Sequence, residues 1–290
     1  MSYRLKTSET VAHGIARVAR EEIERLQLLP AQHITTGERV HETRKGIKKL
    51  RALLRLVRKK IPPDDFKKKN GLLRDVGRIL APARDARVLN RTATELRRRC
   101  GRKAPAQFQK ARELIRSRTK DFAEPDPAMA AKVKRRMQKV KRALTDLHLA
   151  RPDWPDVARG LGKSYRKARI AFAEVQLERT DATLHEWRKR AKDFCYHLRL
   201  LCELWPPVMK EFAAQAEKLT DLLGDDHDLA VLGGVLAGES GSINFKAVER
   251  IMSRQRRHLQ KCSVTLGKKL YAERPRDFAH RICGYARIVE

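Results

Sequence analysis

Aromatic residues are scarce in this sequence, and acidic residues are far outnumbered by basic ones. Aromatic side chains make up 6% of the 290 residues, and 35 Asp and Glu stand against 66 Lys and Arg, which gives a formal net charge of +31. Such a charge predicts polyanionic partners: nucleic acid, an anionic membrane surface or phosphate chains. The shortage of aromatic residues argues against a platform on which the bases of a nucleic acid would stack.

Paired cysteines and long apolar segments are also lacking. The five cysteines are scattered, and no two of them form a Cys-x-x-Cys pair, which argues against a disulfide framework and a structural zinc site. The N-terminus has no apolar signal sequence, and the longest weakly polar run, residues 229–238, is too short to span a bilayer. We therefore expect no membrane insertion and a reducing, cytoplasmic setting.

Apolar residues recur at helical spacing along almost the whole chain, and no apolar residues alternate in the manner of a strand. Proline or glycine interrupts the pattern at Pro30, Pro62–Pro63, Pro82, Gly101, Pro105, Pro125, Pro152, Pro206–Pro207, Gly224, Gly238–Gly241 and Pro275. The predicted helices span residues 8–29, 39–60, 65–80, 84–100, 104–122, 127–149, 156–178, 182–204, 208–223, 226–237, 243–271 and 276–288. The sequence thus predicts an all-α fold of helix bundles with short connections.

An internal repeat divides the chain. Residues 41–63 and 185–207 share ten identical residues at an offset of 144, and residues 80–89 resemble residues 223–232 at an offset of 143. Two similarities in the same order at nearly the same offset predict two related helical halves, 8–123 and 153–272, joined by the segment 124–152 and followed by a C-terminal helix in 273–290. A pseudo-twofold packing of the halves is the expected arrangement.

Each copy of the repeat places basic residues on one face of a helix, because successive residues are about 100° apart around the axis. The first basic stripe consists of His41, Arg44, Lys45, Lys48, Lys49, Arg51 and Arg55. The second basic stripe consists of His185, Arg188, Lys189, Lys192 and Arg199. A single stripe is typical of a solvated helix face, but neighbouring unpaired cations repel one another. Two such stripes in register therefore favour the binding of an anion between them, with arginine contacting phosphate bidentately and lysine acting as a point charge.

Further candidates follow the second similarity. Arg84 and His227 come shortly after predicted breaks, and we expect them to add phosphate contacts. The neighbouring Asp85 and Asp228 are predicted to cap helices, with the orientation of a neighbouring basic side chain as the less favoured alternative. The acidic run 225–228 also leaves open a metal-dependent phosphohydrolase, although no further ligands can be assembled and the sequence contains neither a P-loop nor a nucleophile elbow. We therefore expect no enzyme activity, no cofactor and no metal site.

In these residues the sequence resembles the CHAD family, the conserved-histidine α-helical domain. The family pattern is a His, an Arg three residues later and a basic helix, followed one helix on by a Leu-Gly-x-x-x-Asp-like segment. Here the pattern is matched by His41 and Arg44 with Asp85, and by His185 and Arg188 with Leu223-Gly224 and Asp228. The resemblance covers roughly residues 8–270, so the whole chain, 1–290, is expected to be a single CHAD domain.

The resemblance implies two four-helix bundles related by a pseudo-twofold axis, with a basic central channel. It also implies binding of inorganic polyphosphate without hydrolysis, and a location at polyphosphate granules or beside polyphosphate-metabolising enzymes. The Glu-x-Glu-x-Lys signature of the triphosphate tunnel domain, to which the family is often fused, is missing, which favours a stand-alone module. Other polyanions, nucleic acid among them, remain an alternative. The second stripe departs from the family pattern at Asp193 and Cys195, so the first half is expected to contribute more of the affinity.

Overall fold

The described part of this computed structural model comprises residues 3–101, 106–122, 127–145, 147–238 and 245–289. It contains eleven α-helices and no strand, which confirms the all-α prediction. The predicted breaks at Pro105, Pro125 and Gly241 lie outside the described residues. The helices are α1 (Val11–Leu28), α2 (Thr36–Leu56), α3 (Pro63–Ile79), α4 (Ala81–Cys100), α5 (Gln107–Thr119), α6 (Pro127–Thr145), α7 (Trp154–Leu177), α8 (Asp181–Leu200), α9 (Pro206–Ala237), α10 (Lys246–Leu270) and α11 (Pro275–Ile288).

Capping residues fix where the two helices that carry the basic stripes begin. The Thr35 side chain accepts a hydrogen bond from the backbone N–H of Glu38, whose own side chain accepts from the backbone N–H of Thr35. Thr180 and Thr183 form the same reciprocal pair at the start of α8. Each pair satisfies two of the backbone donors that a helix start leaves free. Both stripes therefore begin within the first two turns of a helix whose N-terminus is fixed by a capping box.

The predicted break at Gly224 is wrong, because α9 runs unbroken from Pro206 to Ala237. One glycine inside a helix costs only about 1 kcal/mol, and α9 packs against α8 on one side of that residue and α10 on the other. The burial of apolar side chains on both sides of Gly224 outweighs that cost. Asp228 therefore lies in the middle of a helix, and the prediction that it caps one is wrong.

The predicted cap at Asp85 is also wrong. Helix α4 begins at Ala81, directly after Leu80, and no side chain caps it. Pro82 occupies the second position of this helix, where a missing N–H costs nothing. Asp85 lies on the second turn and forms an ion pair with its neighbour Arg84 at 2.9 Å.

Two hydrophobic clusters hold the helices together. In the larger cluster, α1, α2, α3 and α6 pack on one another, as do α7, α8, α11 and the first part of α9, and α2 contacts α8. The smaller cluster joins α4 and α5 to the end of α9 and to α10. The segment between the predicted halves thus supplies α6, which contacts α1 and α3. The pseudo-twofold relation of the halves stays a prediction.

The few aromatic side chains are used mainly in the larger cluster. Trp187, Phe194, Tyr165 and Phe278 are fully buried, and the Tyr165 and Phe278 rings stack with centroids 4.0 Å apart. Aromatic pairs of this kind stabilise a core beyond the area they bury.

No helix in the described part of the chain is long and apolar enough to cross a membrane.

Candidate anion-binding cleft

Helices α2, α4, α8 and α9 enclose a cleft of about 490 Å³, which we call the Lys48 cleft. Both halves of the chain contribute its basic side chains. These are His41, Arg44, Lys45, Lys48, Arg84 and Arg91 from the first half, and Arg188, Lys192 and Arg199 from the second. Its acidic side chains are Glu217, Asp221, Asp225 and Asp228, all from α9. Eight Lys and Arg therefore face four carboxylates, and the low-dielectric walls of a cleft strengthen the excess positive potential.

Gly224 of α9 lies beside an arginine of the second stripe. A Cβ atom at Gly224 would lie 3.8 Å from Nε of Arg188, with no nearer neighbour in the described structure. The Arg188 guanidinium therefore lies over a part of α9 that carries no side chain. An alanine Cβ would make ordinary van der Waals contact there, so the position of Arg188 does not depend on the glycine.

Lys48 lies where the cations of both halves meet. Burial lowers the pKa of its amino group to about 7, and the positive charges of Arg188, Arg44, Arg84 and Lys192 add to the effect. Among the described residues, no carboxylate lies within ion-pair distance of Lys48. A half-buried amine without a counter-ion is costly to keep charged, so an entering anion would supply the counter-ion that Lys48 lacks.

The arginines around Lys48 are held by different partners. Arg44 donates a hydrogen bond to the backbone carbonyl of Gly77. Arg84 and Arg91 approach the buried carboxylate of Asp228 at 3.5 and 3.4 Å. Arg188 keeps a buried Nε without a hydrogen-bond partner in the described structure, and burial lowers the pKa of its guanidinium. The unpaired N–H of Arg188 is a donor that a phosphoryl oxygen would satisfy.

The three candidate histidines are not equivalent. His41 lines the cleft, and its pKa is lowered by partial burial. His185 and His227 lie beside Arg188 rather than in the cleft wall, with their ring centroids 4.6 Å apart. Burial, Arg188 and His185 together lower the pKa of His227 to about 4. Burial also lowers the pKa of His185. The lowered pKa values favour the neutral form of all three rings near pH 7 while no anion is bound.

Three residues of the first basic stripe lie outside the cleft. Lys49 forms an ion pair with Glu22 at 3.2 Å, and Arg51 donates a hydrogen bond to Asn70 at 3.0 Å. Arg55 pairs with Asp193 of the second stripe's helix at 2.5 Å. The departure from the family pattern at Asp193 thus has a structural use, since Asp193 neutralises a residue of the other half.

Lys189 of the second stripe also lies outside the cleft, because it pairs with Glu186 at 2.5 Å. The sequence argument for a stronger first half relied on Lys49 and Arg51, and neither of these lines the cleft. The first half still supplies more of the lining cations, but through Lys45, Arg84 and Arg91.

Sequence reasoning missed Arg91 and two of the acidic residues of the cleft, Glu217 and Asp221. Arg91 follows Arg84 by seven residues, which is two turns of α4, so the two share a face. The four lining carboxylates occupy positions 217, 221, 225 and 228 of α9, which is also the spacing of one helix face. Helical periodicity would have found both groups. Burial raises the pKa of Asp221 and of Asp225.

The acidic run 225–228 does not converge on one point. Asp226 accepts hydrogen bonds from Arg256 and Gln260, each at 3.0 Å, whereas Asp228 faces Arg84 and Arg91. The described residues contain no group of three or more His, Cys, Asp or Glu that would hold a metal ion. This part of α9 therefore contributes carboxylates to separate ion pairs.

Comparison with known proteins supplies the family. A family model described as the CHAD domain matches residues 17–237. The crystal structure of the CHAD domain from the plant Ricinus communis is similar, with a TM-score of 0.58 and 19% sequence identity over 97% of this chain and 93% of that chain. No curated protein matches the sequence. Because the family model covers most of the chain, including both basic stripes, the chain belongs to the CHAD domain family.

Proposed function

We propose that this protein binds long-chain inorganic polyphosphate in the Lys48 cleft and does not convert it chemically. The observation that carries the proposal is the meeting of eight Lys and Arg from both halves around Lys48, which has no carboxylate partner among the described residues. A polyphosphate chain presents negative charge at every unit, so it matches a site with several cations better than a single anion does.

Binding would relieve the repulsion between the cations that surround Lys48. The charges of Arg44, Arg84, Arg188 and Lys192 all lower the pKa of Lys48. An anion among them restores the charged form of Lys48 and supplies acceptors for the unpaired Nε of Arg188. The cost of assembling these cations is thereby recovered when the chain binds.

Nucleic acid is the less favoured polyanion. The aromatic residue in the cleft wall, Tyr196, is only 3% exposed, and Trp187 and Phe194 are fully buried. Bases bound near the cleft would therefore lack the stacking partners that single-strand binding uses. A polyphosphate chain has no bases to accommodate.

Two lysines on the same helix test the proposal. Lys192 lines the cleft and donates a hydrogen bond to Thr220 at 3.2 Å, whereas Lys189 is exposed and paired with Glu186. We expect Lys192→Gln to weaken binding of long-chain polyphosphate about tenfold, the effect of losing one charge-assisted contact. Lys189→Gln carries the same charge change and should alter affinity less than about twofold, since exposed ion pairs contribute little. Fluorescence anisotropy with labelled polyphosphate at several salt concentrations measures both.

Equal losses in these two variants, or no binding by the wild type at moderate salt, would show the proposal to be wrong. DNA or RNA that displaces polyphosphate at equal phosphate concentration would instead favour nucleic acid as the ligand. Release of orthophosphate with a divalent metal, abolished by His227→Ala, would contradict a purely binding role.

We extend the proposal to a cytoplasmic location at polyphosphate granules. Imaging of the tagged protein under phosphate-rich conditions tests this location.

A further inference from the structure

A second basic cleft lies at the other end of α2. It has a volume of about 420 Å³ and is bounded by the end of α2, the short helical turn Arg58–Lys60 that follows it, α7 and α8. We call it the Lys163 cleft. None of its lining residues lines the Lys48 cleft. Eight Lys and Arg border it against two carboxylates, so it is poorer in negative charge than the Lys48 cleft.

The two carboxylates of the Lys163 cleft are already occupied. Asp156 pairs with Lys60 at 2.7 Å and with Arg159 at 2.6 Å. Asp193 pairs with Arg55 at 2.5 Å. Neither carboxylate is therefore free to neutralise the remaining cations of the cleft.

Three lysines of the cleft are left without a carboxylate partner in the described structure: Lys59, Lys163 and Lys167. Lys163 and Lys167 lie one turn apart on α7, and Lys59 approaches them from the end of α2. Burial and the charges of Lys59 and Lys167 lower the pKa of Lys163. Three like charges from two elements thus border one concave surface, which is unfavourable unless an anion enters.

A buried histidine gives a second, independent indication of a ligand. His197 lines the cleft and is 3% exposed. Its Nε2 lies 2.8 Å from the carbonyl oxygen of Ala52, while its buried Nδ1 has no hydrogen-bond partner in the described structure. Since Nε2 donates to the carbonyl, Nδ1 of the neutral ring is an acceptor. Burial lowers the pKa of His197, and a phosphoryl group bound nearby would favour the protonated ring, whose Nδ1 could then donate to it. Buried polar atoms are rarely left unpaired in a protein interior.

We infer that the Lys163 cleft is a second anion site, which binds a short run of phosphoryl groups of about the length of tripolyphosphate. Its volume lies within the range of about 300–1,000 Å³ that is usual for small-ligand sites. The lysines serve as point charges, and Arg58, held over the Phe66 ring at 4.3 Å, presents its guanidinium at the cleft wall. The ligand is either a free short oligophosphate or a segment of a long chain, and both present the same phosphoryl oxygens.

Isothermal titration with tripolyphosphate tests this site apart from the Lys48 cleft. The background for the test is the full-length variant Arg188→Gln/Lys192→Gln, in which the Lys48 cleft has lost two cations. We expect the wild type to bind two tripolyphosphate ions and the background variant to keep one. Adding Lys59→Gln and Lys163→Gln should weaken the remaining site about tenfold or more, since each removes one charge contact. Adding Lys132→Gln and Lys139→Gln on α6 changes the net charge equally at exposed positions outside both clefts and should change affinity less than about twofold.

Lys59 and Lys163 are exposed, so their replacement should leave the far-UV circular dichroism and the melting temperature unchanged. The inference is overturned if the background variant binds no tripolyphosphate, or if both added pairs weaken binding equally. A titration with long-chain polyphosphate then distinguishes a free short oligophosphate from a segment of a long chain. If the added Lys59→Gln and Lys163→Gln weaken only tripolyphosphate binding, the ligand of the cleft is a free short anion. If they weaken long-chain binding in parallel, the ligand is a segment of the long chain. Failure of the Lys48 cleft to bind polyphosphate would reduce the wild-type stoichiometry from two to one and leave the results in the background variant unchanged.

Discussion

The charge of Lys48 should make the proposed binding of polyphosphate depend on pH near neutrality. In the free protein the pKa of Lys48 is about 7, and a bound polyanion favours the charged amine and raises that value. The charged form is the one that binds. Affinity is therefore highest below pH 7 and falls as the pH rises above it, because each bound chain must then bring a proton with it.

The size of the effect follows from that pKa. If Lys48 is fully charged in the complex, moving from pH 6 to pH 8 makes the protonated free form about tenfold scarcer, so affinity should fall about tenfold, or ~1.4 kcal/mol. Burial lowers the pKa values of His41, His185 and His227 from the ordinary value of 6.5, so a change in their charge contributes less between pH 7 and pH 8 than the change at Lys48. The terminal phosphates of a polyphosphate chain titrate near pH 6. In a long chain they carry only a small fraction of the total charge, so they contribute little to the pH dependence.

Titrations of labelled polyphosphate at constant ionic strength between pH 6 and pH 8 measure the slope, and Lys48→Arg is the matched control. Its guanidinium stays charged throughout, so this variant should bind with little pH dependence. Calorimetry in buffers of different ionisation enthalpy would show proton uptake by the wild type at pH 8. A wild-type affinity that is flat across the window, or a Lys48→Arg variant with the wild-type slope, would refute the assignment.

Three further changes test the energetics of the Lys48 cleft. Lys48→Met should raise the free energy of unfolding near pH 6 by ~1 kcal/mol or more, as measured in thermal melts. The pKa of Lys48 in the folded protein lies below its ordinary value of 10.5. Its charge therefore destabilises the fold, and this penalty is fully present below pH 7. Gly224→Ala should stabilise α9 by about 0.5–1 kcal/mol and leave affinity nearly unchanged, since a Cβ atom there stays 3.8 Å from Arg188; a clear loss of binding would contradict this. Asp228→Asn should lower the free energy of unfolding in denaturant titrations by ~1–3 kcal/mol, because Arg84 and Arg91 lose their shared carboxylate. The same change should strengthen polyphosphate binding. If both quantities are unchanged, Asp228 does not neutralise these arginines.

The part of the site that sequence could predict is the part set by helical periodicity. Arg44 and Lys48 are one turn apart on α2, and Arg188 and Lys192 are one turn apart on α8, so each pair had to share a face. The repeat indicated that the two faces are equivalent. All four residues line the Lys48 cleft.

The part that sequence could not predict depends on distant partners. Lys49 is drawn away by Glu22, 27 residues earlier, and Arg55 by Asp193, 138 residues later. Such pairs form only once the helices are packed, and nothing in the local spacing specifies them. The continuity of α9 through Gly224 is a similar case, because packing on α8 and α10 overrides a weak local preference.

The unbroken α9 also determines how the protein should come apart. This helix gives Leu219 and Leu223 to the larger cluster and Leu229 and Leu232 to the smaller one, so its two ends are expected to unfold in one cooperative step. In the first half, α3 and α4 are separate helices with only Leu80 between them. The α4–α5 hairpin is thus the unit that can open locally, and its amides should exchange with solvent sooner than those of α9. Each opening would carry Arg84 and Arg91 away from the Lys48 cleft, and would give a polyanion bound as proposed a route in and out that does not require its free end.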